Sequence, residues 1–345
     1  MPPEERAVAS FGLIVITVSA PACAAGDAGP APDLPWYGMF EGFTAFDVPV
    51  RPAFATEPVT IHGVRGGEGP PLLLLHGFPE TRVMWAPIAS RLAQTHTVIA
   101  PDLRGYGDSS VPPASEDHGG ASFRAMAADQ VVLLQELGFD RARVVGHDRG
   151  ARVAHRLALD SPERVERLAL LDILPTLYVF EHLDQRVATA YYHWFFLAQP
   201  APLPERLIAA DPTFYLHRLL GAWGRGGPTA SHAAAIPEYE RCFADPDRRR
   251  AMIEDYRASA SIDLAHDRES AARGEHIAVP TLLLWGATGV VGRYPTSPLE
   301  VWRQEVGEGV PIAGQAIEGA GHFMVEDEPE PTRAELEPFL LSPTA

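Results

Sequence analysis

The sequence predicts an α/β protein with a mostly parallel, doubly wound sheet and an inserted helical cap. Short continuous apolar runs alternate with segments of helical spacing, which is typical of parallel strands covered by helices on both faces. The alternation stops between about residue 175 and residue 272, where the chain is aromatic-rich and mostly helical in spacing. A chain of 345 residues with 46% hydrophobic content fits one large domain with such an insertion.

The predicted elements follow from apolar runs for strands and from three- and four-residue spacing for helices. Gly138 marks the end of the longest predicted helix. In chain order they are a strand at Leu72–Leu75, a helix at Met84–Leu92, a strand at Thr97–Ala100, a helix at Phe123–Leu137, a strand ending at Val145, a helix after Gly150, and strands at Leu168–Leu171 and Thr281–Trp285.

These patterns divide the chain into a core and an insertion. Residues 39–174 and 273–345 are predicted to form the core domain, and residues 175–272 a helical cap that follows the strand ending at Asp172. A second independent domain is the alternative for the insertion. The segments on both sides of it look like strands of one sheet, which favours the cap.

Residues 1–38 form a predicted N-terminal extension that is rich in Ala, Pro and Gly. One interpretation is a disordered or misassigned segment ahead of a start at Met39, which places the protein in the cytoplasm. The other is a signal peptide with its apolar run at Phe11–Cys23, although the preceding "MPPEER" is acidic where secretory signals are basic. The apolar run is short for a transmembrane helix.

Charge and cysteine content exclude several function classes. The formal net charge is −17 and no Lys or Arg block resembles a nucleic-acid patch, so we expect neither nucleic-acid nor membrane partners. Cys23 and Cys242 are too few for a disulfide framework and lie in no metal-ligand spacing, so we expect no metal and no cofactor. An anionic substrate would be repelled on average, so its site must be positive locally.

The stretch "GHDRG", Gly146–Gly150, has the form of a nucleophile elbow between a strand and a helix. Its central residue is Asp148, a carboxylate that needs no base to activate it. A carboxylate is suited to displacing a leaving group from an alkyl carbon, with formation of an ester. A second step must then hydrolyse that ester.

Ester hydrolysis requires a base and an oxyanion hole. The base is predicted at His322, in a small-residue loop near the C-terminus, because the order nucleophile, acid, His fits an α/β-hydrolase chain. The stretch "HGFP" after the first long apolar strand fits the oxyanion loop, so the backbone N–H groups of Phe78 and Arg149 are assigned to it. The His76 side chain is predicted to be structural.

The acid that orients His322 is predicted to be Asp172. In many α/β-hydrolases this acid follows the strand that corresponds to Thr281–Trp285, but here "WGATG" offers no carboxylate. The preceding core strand ends in "LLD", which supplies Asp172. The alternative is that Asp172 only caps a helix or lies in a loop.

The chain resembles the haloacetate dehalogenases of the α/β-hydrolase superfamily, of the fluoroacetate dehalogenase type. The resemblance runs from about Met39 to the C-terminus. It is carried by "HGFPE", "DLRGYGDS", "GHDRGAR", "LDILPT", "YHW", "FLAQPAPLPE", "EDYRA" and "GHF". It implies an α/β-hydrolase fold, conversion of fluoroacetate and water to glycolate and fluoride, a small haloacetate as substrate, and a homodimer.

The resemblance also implies the roles of individual residues. Arg149 and Arg152 would hold the substrate carboxylate, and their three-residue spacing at a helix start lets both reach one side of the pocket. A halide site is implied at three residues of the cap, which are His193, Trp194 and Tyr256.

Two other functions share this pattern in part. An epoxide hydrolase has the same Asp nucleophile, His base and cap, but a neutral epoxide has no carboxylate for Arg149 and Arg152 to bind. A non-enzymatic binding protein on the same fold would be expected to lack part of the set Asp148, Asp172 and His322, and all three are present.

Overall fold

A mostly parallel sheet of eight strands forms the centre of the computed structural model, which describes residues 38–52, 58–224 and 230–342. The strand order is β1-β2-β4-β3-β5-β6-β7-β8, and only the pairs β1–β2 and β2–β4 are antiparallel. This confirms the predicted fold class. The strands are β1 Thr44–Val50, β2 Val59–Gly66, β3 Pro71–Leu75, β4 Thr97–Pro101, β5 Ala142–His147, β6 Val165–Leu171, β7 Thr281–Gly286 and β8 Ile312–Ile317.

Helices connect the strands. They are α1 Ala86–Leu92, α2 Phe123–Glu136, α3 Asp148–Asp160, α4 Thr176–Glu181, α5 Gln185–Ala190, α6 Tyr192–Leu197, α7 Leu203–Ala209, α8 Pro212–Trp223, α9 Ala230–Ala244, α10 Pro246–Ser259, α11 Ile262–Arg273, α12 Pro298–Trp302, α13 Met324–Asp327 and α14 Pro329–Leu341. The described residues also include three short 3₁₀ helices, at Arg82–Trp85, Gly119–Ala121 and Pro162–Arg164.

The five strands that the sequence predicts are the central strands β3 to β7. Their residues are almost all buried, which is why they appear as continuous apolar runs. The strands β1, β2 and β8 are not predicted. In β1 and β8 exposed residues alternate with more buried ones, so neither strand contains a continuous apolar run.

The predicted helix at Met84–Leu92 is divided in the structure. A 3₁₀ helix covers Arg82–Trp85, and α1 begins only at Ala86, with Pro87 in its first turn. Proline is well tolerated there because the first N–H groups of a helix have no partner within it. The predicted helix after Gly150 begins earlier, at Asp148.

Helices α4 to α11 follow β6 and precede β7, and no described residue between these two strands belongs to a strand. β6 and β7 are nevertheless direct neighbours in the sheet, with Leu168 opposite Thr281. The chain therefore leaves the sheet and returns to the adjacent position. That this segment forms a separate cap domain stays a prediction.

The predicted N-terminal extension, residues 1–38, lies outside the described residues except for Gly38. Among the residues that are described, no helix combines the length and the apolar character that crossing a membrane would require.

The sheet determines which loops meet at the site. β5 and β6 are parallel neighbours, and His147 at the end of one lies opposite Leu171 at the end of the other. The next residues are Asp148 and Asp172, so these two carboxylates emerge side by side at the same edge of the sheet. Ligands commonly bind at the carboxyl ends of parallel strands.

Candidate active site

Asp148 lies on a sharp turn between β5 and α3. Its φ is 45°, a left-handed conformation that is rare outside glycine. The flanking glycines permit this turn because a Cβ on Gly146 would lie 2.5 Å from the Gly150 carbonyl oxygen, and one on Gly150 would lie 2.3 Å from that of Leu75. The two glycines of the motif are thus required by close backbone approach, and Asp148 takes up the strained conformation.

The Asp148 carboxylate is 6% exposed and is held from one side. Its Oδ2 accepts a hydrogen bond from the backbone N–H of Phe78 at 3.2 Å and lies 3.8 Å from Nε2 of His322. Burial alone would raise the pKa of Asp148, but His322 and Arg149 together bring it well below its usual range. The group is therefore an anion at neutral pH.

His322 lies between the two carboxylates. Its Nδ1 is 2.6 Å from Oδ2 of Asp172, and its Nε2 faces Asp148. Burial lowers the pKa of His322, but the two carboxylates raise it more, to about 10. In the unreacted protein the imidazole therefore carries a proton that both carboxylates stabilise.

Asp172 is fixed by the end of β7. Its Oδ1 accepts a hydrogen bond from the backbone N–H of Gly286 at 3.0 Å, which leaves Oδ2 for His322. Like Asp148, Asp172 has a positive φ, here 52°. The structure thus brings the three predicted residues Asp148, His322 and Asp172 together in one chain of contacts.

The His76 side chain holds the loop that carries Phe78. Its Nε2 accepts a hydrogen bond from the Leu103 N–H, and its Nδ1 contacts the Gly77 carbonyl, both at 3.0 Å. Burial lowers the pKa of His76, so the ring is neutral, and with this tautomer both ring nitrogens are satisfied. This arrangement fits the structural role predicted for His76.

Arg152 is a buried cation that has no carboxylate partner among the described residues. It is 3% exposed, and its Nη1 donates to the Leu174 carbonyl at 3.0 Å and to Oγ1 of Thr176 at 2.8 Å. Its guanidinium lies 4.5 Å from the ring centroid of Trp194, and its Nε has no hydrogen-bond partner among the described residues. Burial lowers the pKa of Arg152, partly offset by the charge of Asp148.

Arg149 differs from the expectation that it faces the same pocket as Arg152. Its guanidinium forms a buried ion pair with Asp255 of α10, through Nε at 3.0 Å and through Nη2. It also lies between two aromatic rings, 4.6 Å from the centroid of Phe123 and 4.3 Å from that of Tyr256. Only Nη1, 3.5 Å from Oγ of Ser259, is weakly engaged. Most of the donors of this side chain are therefore already paired. A direct role of Arg149 in binding substrate stays a prediction.

Of the three residues predicted for the halide site, His193 lies near both of the others. The His193 ring lies 5.6 Å from that of Tyr256 and 6.5 Å from that of Trp194. Burial lowers the pKa of His193 far below its usual value, so the imidazole is neutral. Within the described part of the chain its Nδ1 has no hydrogen-bond partner. Burial also raises the pKa of Tyr256 well above its usual range, which keeps its phenol protonated.

A cavity of about 930 Å³ opens over Asp148. Its buried wall includes Asp148, Arg152, Asp172, His193, Trp194 and His322. Arg149, Tyr256 and Phe78 are not among the described residues that line the cavity.

Sequence reasoning missed a buried network behind His322. The Nε2 of His147 donates to the His322 carbonyl, and its Nδ1 contacts Oε2 of Glu80, each at 2.9 Å. Glu80 is hydrogen-bonded to Glu326, whose pKa is raised well above its usual range by burial and by Glu80. Glu326 is therefore the protonated partner, and it accepts from the Tyr239 hydroxyl at 3.0 Å. In the sequence, only Glu80 in "HGFPE" could have indicated this network.

Trp223, at the end of α8, was also missed. Its carbonyl accepts the His322 N–H at 2.7 Å, and its ring lies 4.2 Å from that of His193. It thereby joins the predicted base to the predicted halide site. Nothing in its sequence context marks it.

No group of three or more His, Cys, Asp or Glu side chains within the described ranges is arranged to hold a metal ion.

Comparison with known proteins shows the family of the chain. A family model of the alpha/beta hydrolase fold matches residues 70–329. A fluoroacetate dehalogenase of Burkholderia sp. is 43% identical over 302 residues, which cover 88% of this chain and 95% of the relative. A soluble epoxide hydrolase of Corynebacterium sp. (strain C12) is 35% identical over 272 residues, covering 78% of this chain and 90% of the relative.

Solved structures extend the likeness. A crystal structure of a Nostoc sp. PCC 7120 protein, provisionally assigned as an alpha/beta hydrolase, has 47% sequence identity and a TM-score of 0.79, and the match covers 87% of this chain and 99% of that chain. The structure of Cfl2 from Burkholderia cenocepacia has 29% identity and a TM-score of 0.75, covering 87% of this chain and 96% of that chain.

Proposed function

This chain belongs to the alpha/beta hydrolase family, and we propose that within it the protein hydrolyses haloacetates through an ester on Asp148. The hydrolase class follows from the family. The choice of haloacetate rests on the site and on the resemblance to the fluoroacetate dehalogenase of Burkholderia sp..

One observation carries this choice, the buried positive charge of Arg152, which pairs with no carboxylate among the described residues. A buried charge without a partner destabilises the folded protein. A ligand of opposite charge that binds beside it removes this destabilisation. Asp148 is an anion at neutral pH, but its carboxylate contacts His322 and not Arg152. An anionic substrate that binds in the cavity would supply the carboxylate that Arg152 lacks, through charge-assisted hydrogen bonds.

In the first step, Asp148 attacks the carbon that bears the halogen. Its Oδ2 is bound by the Phe78 N–H, so Oδ1 is the oxygen left to form the new C–O bond. The C–halogen bond breaks, and the halide leaves with the electron pair toward His193, Trp194 and Tyr256. The neutral imidazole and the protonated phenol both carry a hydrogen that can be donated to the departing ion.

In the second step, water hydrolyses the ester. Ester formation removes the negative charge of Asp148, so His322 releases its proton to solvent. The neutral imidazole, oriented by Asp172, then takes a proton from the water as it attacks the ester carbonyl carbon of Asp148. The Phe78 N–H stabilises the negative charge on Oδ2 of the tetrahedral intermediate. The glycolate oxygen leaves with the proton from His322, and the Asp148 carboxyl then passes its own proton to His322, which restores the resting carboxylate and imidazolium.

The proposal is tested by halide release. The purified protein is incubated with fluoroacetate, chloroacetate and bromoacetate, and fluoride, chloride and bromide are measured with ion-selective electrodes together with glycolate. Asp148→Asn is the matched control, because it keeps the side-chain shape and removes the nucleophile. Turnover that depends on Asp148 supports the proposal, and no halide from any of the three substrates overturns it.

An epoxide hydrolase is the second candidate. The similarity to the relative from Corynebacterium sp. favours it. The Tyr191 phenol also favours it, because it lines the cavity and its pKa is raised, mainly by burial and also by the charge of Asp172. A protonated phenol could donate to the oxygen of an opening epoxide. Diol formation from styrene oxide without halide release from any haloacetate would establish this alternative.

A further inference from the structure

The cavity wall changes character from its buried end to its opening. The buried end contains Arg152, which no described carboxylate pairs with, and the His322 imidazolium, which Asp148 and Asp172 balance. The lining residues nearer solvent are exposed, and three of them are arginines, Arg186, Arg218 and Arg293. They lie on α5, on α8 and in the segment after β7. The fold therefore gathers positive charges from three distant parts of the chain around one opening.

These three arginines have no ion-pair partner in the described part of the chain. No described carboxylate lies within ion-pair distance of any of them. Among the described residues, the only carboxylates that line the cavity are Asp148 and Asp172, and both contact His322 at the buried end. The nearby Asp184 instead accepts the Val187 N–H at 2.7 Å, as the N-cap of α5.

The arrangement opposes the charge of the rest of the molecule. None of the three arginines gains an ion pair with a described residue that would stabilise the fold. The protein as a whole has a formal net charge of −17, so an anion in solution is repelled by it on average. A positive opening reverses this field locally.

We propose that Arg186, Arg218 and Arg293 form an anion-attracting collar that draws haloacid anions into the cavity ahead of Arg152. This inference rests on the proposed function, which supplies an anionic substrate. Charged walls around a cleft raise the local concentration of a ligand of opposite sign and its rate of association.

The collar arginines are exposed to solvent and Arg152 is buried. This difference favours movement of a bound anion from the opening toward Arg152. The collar side chains are exposed to water of high dielectric constant, where they hold a carboxylate only weakly. Arg152 is buried, and its attraction for an anion is screened less. An anion attracted at the opening therefore gains further by moving inward.

The test removes the collar and compares it with an equal loss of charge elsewhere. The collar variant is R186Q/R218Q/R293Q. The matched control is R91Q/R206Q/R303Q, three arginines that are also exposed, have no described ion pair, and lie outside the cavity wall. Both variants lower the net charge by three, so a difference between them reports position alone.

Two readouts are measured from about 10 mM to about 1 M ionic strength, where the screening length falls from about 30 Å to about 3 Å. The first is kcat/KM for chloroacetate. The second is the association rate of glycolate, a non-reacting anion, followed by stopped-flow tryptophan fluorescence, since Trp194 and Trp223 line the cavity. Neutral glycolamide is the uncharged probe.

We expect the collar variant to lose about three- to tenfold in kcat/KM and in glycolate association at low salt, with the larger part of the kinetic loss in KM. The loss should vanish at high salt and be absent for glycolamide. Equal values for the two variants at low salt, or a loss that salt leaves unchanged, would overturn the collar. If the wild type releases no halide, the proposed function fails, and glycolate association still decides whether the collar attracts anions.

Discussion

Replacing Asp148 by Asn is expected to lower the pKa of His322 by about three units. That pKa is raised to about 10 although burial lowers it, because Asp148 and Asp172 stabilise the imidazolium. The Nε2 of His322 lies 3.8 Å from the Asp148 carboxylate. Two unit charges at this separation interact by about 4 kcal/mol at an effective dielectric constant of about 20, which corresponds to about three pKa units.

The substitution reproduces the charge of the reaction intermediate. Esterified Asp148 is neutral, as is the amide side chain in Asp148→Asn, while the contact of 2.6 Å between His322 and Asp172 is retained. A pKa near neutrality would then allow His322 to lose its proton and act as a base once the ester has formed. Ester formation would itself activate the second step.

The assay is a histidine side-chain NMR titration between about pH 5 and pH 10.5, with the His322 signal assigned by its loss in His322→Gln. Glu330→Gln is the control, because that exposed carboxylate pairs with Arg333 and does not contact His322. The control should leave the His322 titration unchanged. A shift of less than about one unit in Asp148→Asn would refute the reasoning, since Coulombic coupling at 3.8 Å could not then hold the proton.

The other predictions concern the same site and its support. His322→Gln should release about one equivalent of halide and then stop, and intact-protein mass spectrometry should detect an added carboxymethyl group on Asp148; a mass that stays unmodified would contradict the covalent route. Arg152→Lys, which keeps the charge but loses the forked donors, should reduce kcat/KM for chloroacetate about 10- to 100-fold at unchanged melting temperature, and wild-type kinetics would count against carboxylate binding there. The pKa of His322 is raised to about 10 in the folded protein and is about 6.5 when unfolded, so the stabilisation is complete below about pH 6.5 and is lost as the pH rises toward 10. The free energy of unfolding of the wild type should therefore fall by about 3 kcal/mol more than that of His322→Gln between about pH 7 and pH 9.5, and parallel urea-denaturation profiles would exclude this linkage. Gly150→Ala, whose Cβ would lie 2.3 Å from the Leu75 carbonyl oxygen, should destabilise the protein by about 1–3 kcal/mol in urea denaturation, and an unchanged midpoint would show that the turn can relax.

The sequence by itself determined the central strands and the place of the reacting groups along them. β3 to β7 were predictable because a strand buried on both faces must be continuously apolar. Asp148 and Asp172 could be expected to meet because they directly follow two such strands. The flanking strands β1 and β8 could not be predicted in this way, since their half-exposed residues do not form continuous apolar runs.

Only the tertiary structure decided how the charges around the site are paired. Helical spacing places Arg149 and Arg152 on one side of α3, and local periodicity treats them alike. Asp255, on a helix about a hundred positions later, pairs with Arg149 and leaves Arg152 without a carboxylate among the described residues. The same holds for the collar and for the network behind His322, whose members are far apart in the chain. Such pairings depend on which helices pack against each other, and residue spacing within one element contains no information about them.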